Sequence, residues 1–253
     1  MILGIICNRK SHEIDTLQSV NHTYLRAVEA YMDVQPMLIP ATTNAEQMIN
    51  AELIISRLDG LLITGNRSNL HPSHYGADET PAHAPFDRQR DAASLALIKA
   101  ALEQDLPMLA VCRGTQELNV VCGGNLHAEL HDMDGRLDHR TPALPDAADD
   151  DTAAATIYAA RHRVSFAENG YFQNLLNTDN AMINSLHRQA IDRLGDDLCI
   201  EATAEDGTIE AVRHTKQRYC LGVQWHPEMQ TGENIISAAL FADFNRAMRL
   251  AQH

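Results

Sequence analysis

Short apolar runs alternate with amphipathic ones along the first half of the chain. Residues 2–7 read as a strand, and residues 23–31 carry helical spacing. A second strand is expected over 35–39, ended by Pro40. Residues 45–56 suit a helix, with Asn44 placed to cap its free N–H groups. Leu-Asp-Gly-Leu-Leu-Ile-Thr, over 58–64, reads as a buried strand that stops at Gly65. A helix over 90–104 puts Leu95, Ile98, Ala101 and Leu102 on one face. An apolar strand over 107–111 and a helix over 115–122 follow.

The pattern changes after Leu130. Residues 131–155 are rich in Asp, Ala and Pro and read as an irregular, solvated connection. Strands are then expected over 161–167, 181–185, 198–203, 209–214 and 220–224, with Asp206-Gly207 as the hairpin turn between two of them. An amphipathic helix over 234–252 ends the pattern. This alternation implies an α/β fold, a central mostly parallel sheet flanked by helices, in one domain over residues 1–253.

Composition narrows the function more than the fold. The formal net charge is −14, which works against binding phosphate backbones or anionic lipid, so neither a nucleic-acid nor a membrane partner is expected. The N-terminal apolar run is short and its charges follow it, the wrong order for a secretory signal, so a cytoplasmic location is expected. The five cysteines are irregularly spaced with no CxxC pair, which argues against a disulfide framework or a cysteine zinc site. His131-Asp132-Met133-Asp134-Gly135, with Asp138 and His139 beyond, lacks the later Glu of a calcium loop, so no metal is expected there.

One cysteine stands apart. Cys112 falls between an apolar strand and a helix, with the small residues Ala110 and Gly114 two positions either side. That is the pattern of a nucleophile elbow, in which a tight turn lifts the reactive atom to the sheet edge. The helix N-terminus then faces the sulfur and favours thiolate, and the Arg113 N–H becomes available to an oxyanion. Near the other end, a strand runs into His226-Pro227-Glu228. A bend at Pro227 can bring the Glu228 carboxylate onto the His226 ring, which fixes the tautomer and leaves the second nitrogen for a thiol. The rival base is His187, which also follows a strand but has no carboxylate at matching spacing.

Cys112-Arg-Gly-Thr-Gln-Glu117, Gln224-Trp-His-Pro-Glu228, the segment 58–72 and Asn184-Ser-Leu-His187 resemble the class I glutamine amidotransferase-like superfamily, whose fold is flavodoxin-like. Within it they resemble the γ-glutamyl hydrolase branch, peptidase family C26. The resemblance implies Cys112 as nucleophile, His226 as base and Glu228 as third member. It implies the backbone of Gly65 as a second oxyanion donor beside Arg113, and Gln116 in contact with the γ-glutamyl group. Asn66, Ser68, Asn184, Ser185, His187 and Arg188 are the remaining candidates for substrate contact, with Arg188 suited to an acceptor carboxylate. Three positions depart from the family pattern: Ala110 and Asn66 stand where many relatives carry glycine, and Arg188 stands where relatives often carry a smaller or different residue. The implied reaction is cofactor-free hydrolysis of a γ-glutamyl amide from polyamine breakdown, such as γ-glutamyl-γ-aminobutyrate, through a γ-glutamyl thioester. Two rivals stand beside it: a glutaminase subunit that delivers ammonia to a synthetase, and a non-catalytic regulatory protein on the same fold. Whether the chain forms a homodimer is left open.

Overall fold

A computed structural model of the protein describes residues 1–12, 14–42, 50–144, 149–229 and 234–251. The chain begins β1 (Ile2–Ile6), β2 (Asn8–His12), β3 (Asp15–Ser19), α1 (His22–Tyr31), β4 (Gln35–Ile39), α2 (Ala51–Ile55) and β5 (Gly60–Ile63). It continues through α3 (Arg88–Glu103), β6 (Met108–Val111), α4 (Arg113–Val121), β7 (Leu126–His127), α5 (Asp150–Ile157) and β8 (His162–Phe166). The last elements are α6 (Tyr171–Leu176), β9 (Asn180–Ile183), β10 (Ala190–Ile191), β11 (Leu198–Ala204), β12 (Ile209–His214), β13 (Cys220–Val223) and α7 (Ile235–Leu250).

Nine strands form one mixed sheet in the order β4-β1-β5-β6-β13-β12-β11-β8-β9. The first five are mutually parallel, and the remaining pairings are antiparallel. Strand side chains alternate between two cores, as the pleat requires. Leu109 and Val111 join a core with Tyr24 and Val28 of α1 and Phe241 and Phe244 of α7. Met108 and Ala110 join the opposite core with Leu97 and Ile98 of α3 and Leu118 of α4. Both faces of the inner parallel strands β5, β6 and β13 are therefore covered, which is why they read as continuous apolar runs.

Topology sets where the chemistry lies. In the parallel registers Ile63 pairs with Ala110, and Val111 pairs with Val223. The carboxyl ends of β5, β6 and β13 thus reach one edge side by side, delivering Gly65, Cys112 and His226 to the same place. The carboxyl edge of such a sheet is where α/β proteins bind ligands. β12 runs the other way, so its first residues, including Glu210, start at that same edge, where the Gln224 N–H donates to the Glu210 carbonyl at 2.7 Å.

Some elements differ from the sequence pattern. The segment 131–155 contains the start of α5, where the Asp149 side chain accepts from the Thr152 N–H at 2.8 Å and caps the helix. His139, read as part of a solvated connection, is buried at 1% exposure. The hairpin of β2 and β3 escaped the pattern because its strands are polar and carry no apolar alternation. Asn44, the expected cap, lies outside the described residues; α2 is capped instead by Asn50, which accepts from the Leu53 N–H at 3.0 Å. None of the described helices is long and apolar enough to cross a membrane.

Gly114 is required by close packing of α4 over β5. A Cβ placed there would lie 2.5 Å from the Ile63 carbonyl oxygen, a backbone atom that cannot step aside. Gly114→Ala should therefore destabilise the protein by about 1–3 kcal/mol, the usual range for overpacking. Chemical denaturation checks this: the midpoint should fall with little change in slope, and an unchanged midpoint would contradict the packing argument.

Candidate active site

Cys112 occupies a turn that L-residues rarely adopt, with φ 51° and ψ −104°. Such backbone costs of order 1–3 kcal/mol and persists only when its surroundings hold it. Here the Cys112 N–H donates to the Val223 carbonyl at 2.7 Å, which ties the turn to β13. The Thr115 hydroxyl reaches the same carbonyl at 2.7 Å. Arg113 and Gly114 open α4, so their N–H groups have no intrahelical acceptor.

His226 sits past the end of β13 with its Nδ1 2.7 Å from Glu228 Oε1. The Asn184 side chain clamps the His226 backbone from both sides. It accepts the His226 N–H at 2.8 Å and donates to the His226 carbonyl at 3.0 Å. Burial alone would make His226 harder to protonate. The Glu228 carboxylate and the Cys112 sulfur outweigh it and raise the His226 pKa well above its ordinary value. A protonated imidazole beside the sulfur stabilises negative charge there.

The loop after β5 is held from four directions. Tyr24 Oη accepts the Gly65 N–H at 2.8 Å, and Asn8 donates to the Gly65 carbonyl at 3.1 Å. Arg90 donates to the Thr64 carbonyl at 2.7 Å, and Arg113 to the Ser68 carbonyl at 2.9 Å. Beneath the loop the two arginines share two carboxylates. Arg113 pairs with Asp91 and Glu117, and Arg90 Nη2 lies 3.4 Å from Glu117 Oε2. All four side chains are almost fully buried, so the charges must balance internally. Removing one member of such a set costs about 3–5 kcal/mol. Tyr24 is buried too, and burial together with the Glu228 charge pushes its phenol upward, so it stays neutral.

Cys112 opens into a cleft of about 780 Å³. Asn66, Ser68, Gln116, His187 and Arg188 line it, as the sequence suggests. Three expectations need correction. The Gly65 N–H is already given to Tyr24, and one N–H carries one proton, so Gly65 is not a free oxyanion donor. The Asn184 side chain is spent on His226, and Ser185 bonds to the His139 carbonyl and ring at 3.1 and 2.9 Å, so neither side chain faces the cleft. Arg188 does face it, but Glu129 compensates its charge and the Ala84 carbonyl accepts from it at 3.1 Å. His187 does meet a carboxylate, Glu210, brought from β12 rather than from nearby in sequence, at 3.5 Å.

Sequence reasoning gave no role to the supporting residues Tyr24, Arg90, Asp91 and Glu117, although the last three lie in segments that resemble the family. It also passed over Arg67, an exposed cation on the cleft rim with no ion-pair partner among the described residues. A family model described as peptidase C26 matches residues 1–228. The chain belongs to the peptidase C26 family.

Its relatives include the γ-glutamyl-γ-aminobutyrate hydrolase of Escherichia coli O157:H7, 35% identical over 96% of this chain and 91% of that one. Among solved structures, the glutaminase domain of Trypanosoma brucei CTPS has a TM-score of 0.61 at 14% identity, covering 98% of this chain and 94% of the other. A glutamine amidotransferase from Thermotoga maritima has a TM-score of 0.59 at 13% identity, covering 98% and 97%. These structural likenesses establish the fold: a class I glutamine amidotransferase sheet carries this C26 site.

The electrostatics of His226 give a pH test. Glu228 helps hold the imidazolium proton, so removing its charge lowers the pH at which His226 deprotonates. In Glu228→Gln the alkaline limb of kcat/KM should move to lower pH than in the wild-type enzyme, with kcat reduced less than by His226→Ala. Superimposable alkaline limbs would mean that Glu228 does not hold the His226 proton.

Proposed function

We propose that this protein hydrolyses the γ-glutamyl amide bond of a small γ-glutamyl amine, with γ-glutamyl-γ-aminobutyrate its preferred substrate. The observation that carries the reading is Cys112 on a strained elbow, open to a cleft and hydrogen-bonded to His226, whose other ring nitrogen meets Glu228. The Cys112 sulfur attacks the γ-carbonyl carbon, and the carbonyl oxygen takes up the electron pair. The Arg113 N–H meets that oxyanion. Because Gly65 is engaged, we assign the second donor to the next N–H of the loop, that of Asn66. The tetrahedral intermediate collapses with cleavage of the C–N bond, and His226 gives its proton to the departing amine. A γ-glutamyl thioester remains on Cys112. His226 then takes a proton from water, whose oxygen attacks the thioester and releases glutamate.

Substrate binding follows from what is left uncommitted. The Gln116 amide nitrogen donates to the Gln189 carbonyl at 2.8 Å and to Gln224 Oε1 at 3.1 Å, which leaves its Oε1 to accept from the glutamyl ammonium. On the acceptor side, Arg67 lies on the rim of a chain whose net charge is −14. A guanidinium with no ion-pair partner among the described residues suits a leaving amine that ends in a carboxylate, as γ-aminobutyrate does. It disfavours one that ends in an ammonium.

Cys112→Ala should abolish glutamate release while leaving the thermal midpoint near wild type, because the elbow tolerates a small side chain. More than a trace of turnover would remove Cys112 as nucleophile. The substrate is tested by comparing kcat/KM for γ-glutamyl-γ-aminobutyrate, γ-glutamylputrescine and glutamine. The first should lead, and Arg67→Ala should reduce its advantage by about tenfold, the effect of one charge-assisted contact. A clear preference for glutamine would refute the hydrolase reading in favour of a glutaminase subunit.

A further inference from the structure

Beside the cleft, behind His187, a second constellation fills the same end of the sheet. His162 opens β8, Glu210 lies on β12, and His139 and His187 come from loops. All four are buried, Glu210 completely. One oxygen of Glu210 is their centre. Oε1 lies 3.2 Å from His162 Nε2, 3.3 Å from His139 Nδ1 and 3.5 Å from His187 Nε2. The ligand atoms of His139, His162 and Glu210 all lie within 4.8 Å of one another.

The far side of two of these rings decides where their protons sit. His187 Nδ1 is 3.0 Å from the Gln189 carbonyl, and His139 Nε2 is 2.9 Å from Asp206 Oδ2. A carbonyl or a carboxylate can only accept, so each ring spends its N–H there. In the neutral rings the nitrogens that face Glu210 are then lone pairs. The Ser185 hydroxyl lies 2.9 Å from His139 Nδ1 but also donates to the His139 carbonyl at 3.1 Å, and a His187 Nε2 lone pair aimed at a carboxylate oxygen is unfavourable unless a cation lies close by. His187 Nε2 and Glu210 Oε2 are in fact buried without a hydrogen-bond partner among the described residues. An outer carbonyl and an outer carboxylate that fix imidazole tautomers are the usual second layer of a metal site.

We propose that His139, His162 and Glu210 form a site for one divalent zinc ion, with His187 at its edge, 3.5 Å from Glu210 Oε1. Two imidazole nitrogens and a carboxylate oxygen are a zinc donor set. Tetrahedral ligation at about 2.0–2.1 Å spaces the ligand atoms roughly 3.3 Å apart, close to the 3.2 and 3.3 Å that separate Glu210 Oε1 from His162 and His139. All three ligands are buried and none of them lines the cleft, so the ion is structural. It ties β8, β12 and the loop of His139 together, and the His139 carbonyl accepts the His187 N–H at 2.9 Å, which joins the segment 184–189 to them. That segment carries Asn184, which clamps His226, and Gln189, whose carbonyl accepts from both His187 and Gln116. Zinc would therefore set the wall of the cleft without touching the substrate. The proposal does not depend on the hydrolase reading.

Metal content tests it directly, on the full chain purified from zinc-supplemented cells. The Cys112→Ala variant is analysed alongside, to remove the thiol beside His226. Both should carry about one equivalent of zinc by elemental analysis, and X-ray absorption should show only nitrogen and oxygen ligands. After chelation, Co²⁺ should give the intense visible bands of a four-coordinate ion. The thermal midpoint should fall on removal of zinc and recover when Zn²⁺ is added back. Glu210→Gln and His162→Ala should lose the metal. Less than about a tenth of an equivalent in the wild-type protein, with no cobalt bands on titration, would overturn the proposal, and so would sulfur ligation. Such a result would leave shared protons, not a metal, to reconcile the three rings with Glu210.

Discussion

The left-handed backbone at Cys112 is the constraint on which the rest of the site depends. Relaxing it would turn the sulfur away from the sheet edge and release the conformational strain. What prevents this is packing and hydrogen bonding on every side. The Val223 carbonyl holds the Cys112 N–H, Gly114 lets α4 press against the Ile63 carbonyl, and the Thr115 hydroxyl returns to β13. The elbow is therefore a property of three adjacent strands rather than of the residues that form it.

The buried charges serve the same geometry at one remove. Arg90, Asp91, Arg113 and Glu117 are nearly free of solvent, where isolated charges would be expensive. Their mutual neutralisation lets the two arginines spend their remaining donors on backbone carbonyls at Thr64 and Ser68. The loop that faces Cys112 is thus fixed by side chains from α3 and α4. Arg113 supplies its backbone at the elbow and its side chain to this support, which couples the two halves of the site through one residue.

Polar groups at this end of the sheet are assigned with little surplus. Asn184 is consumed by His226, Ser185 by His139, and the amide nitrogen of Gln116 by Gln189 and Gln224. Free hydrogen-bonding capacity is left at the cleft itself, where a ligand can use it, and around Glu210, where buried lone pairs converge. Binding and structural support use the same residue types, and only their neighbours tell them apart.

The local patterns of the chain were enough to place most strands and helices, because apolar periodicity records which faces are buried. They also singled out Cys112, His226 and Glu228, since a strand–Cys–helix turn and a His-Pro-Glu step are short-range signals. What they could not carry is any contact between segments far apart in sequence. That Tyr24 takes the Gly65 N–H, that Glu129 neutralises Arg188, and that Glu210 meets three histidines all depend on strand order and register. The polar hairpin of β2 and β3 left no hydrophobic trace for the same kind of reason: its pairing is backbone to backbone. Sequence determines which residues are capable of chemistry here. The sheet, by bringing parallel carboxyl ends and antiparallel beginnings to one edge, decides which of them meet.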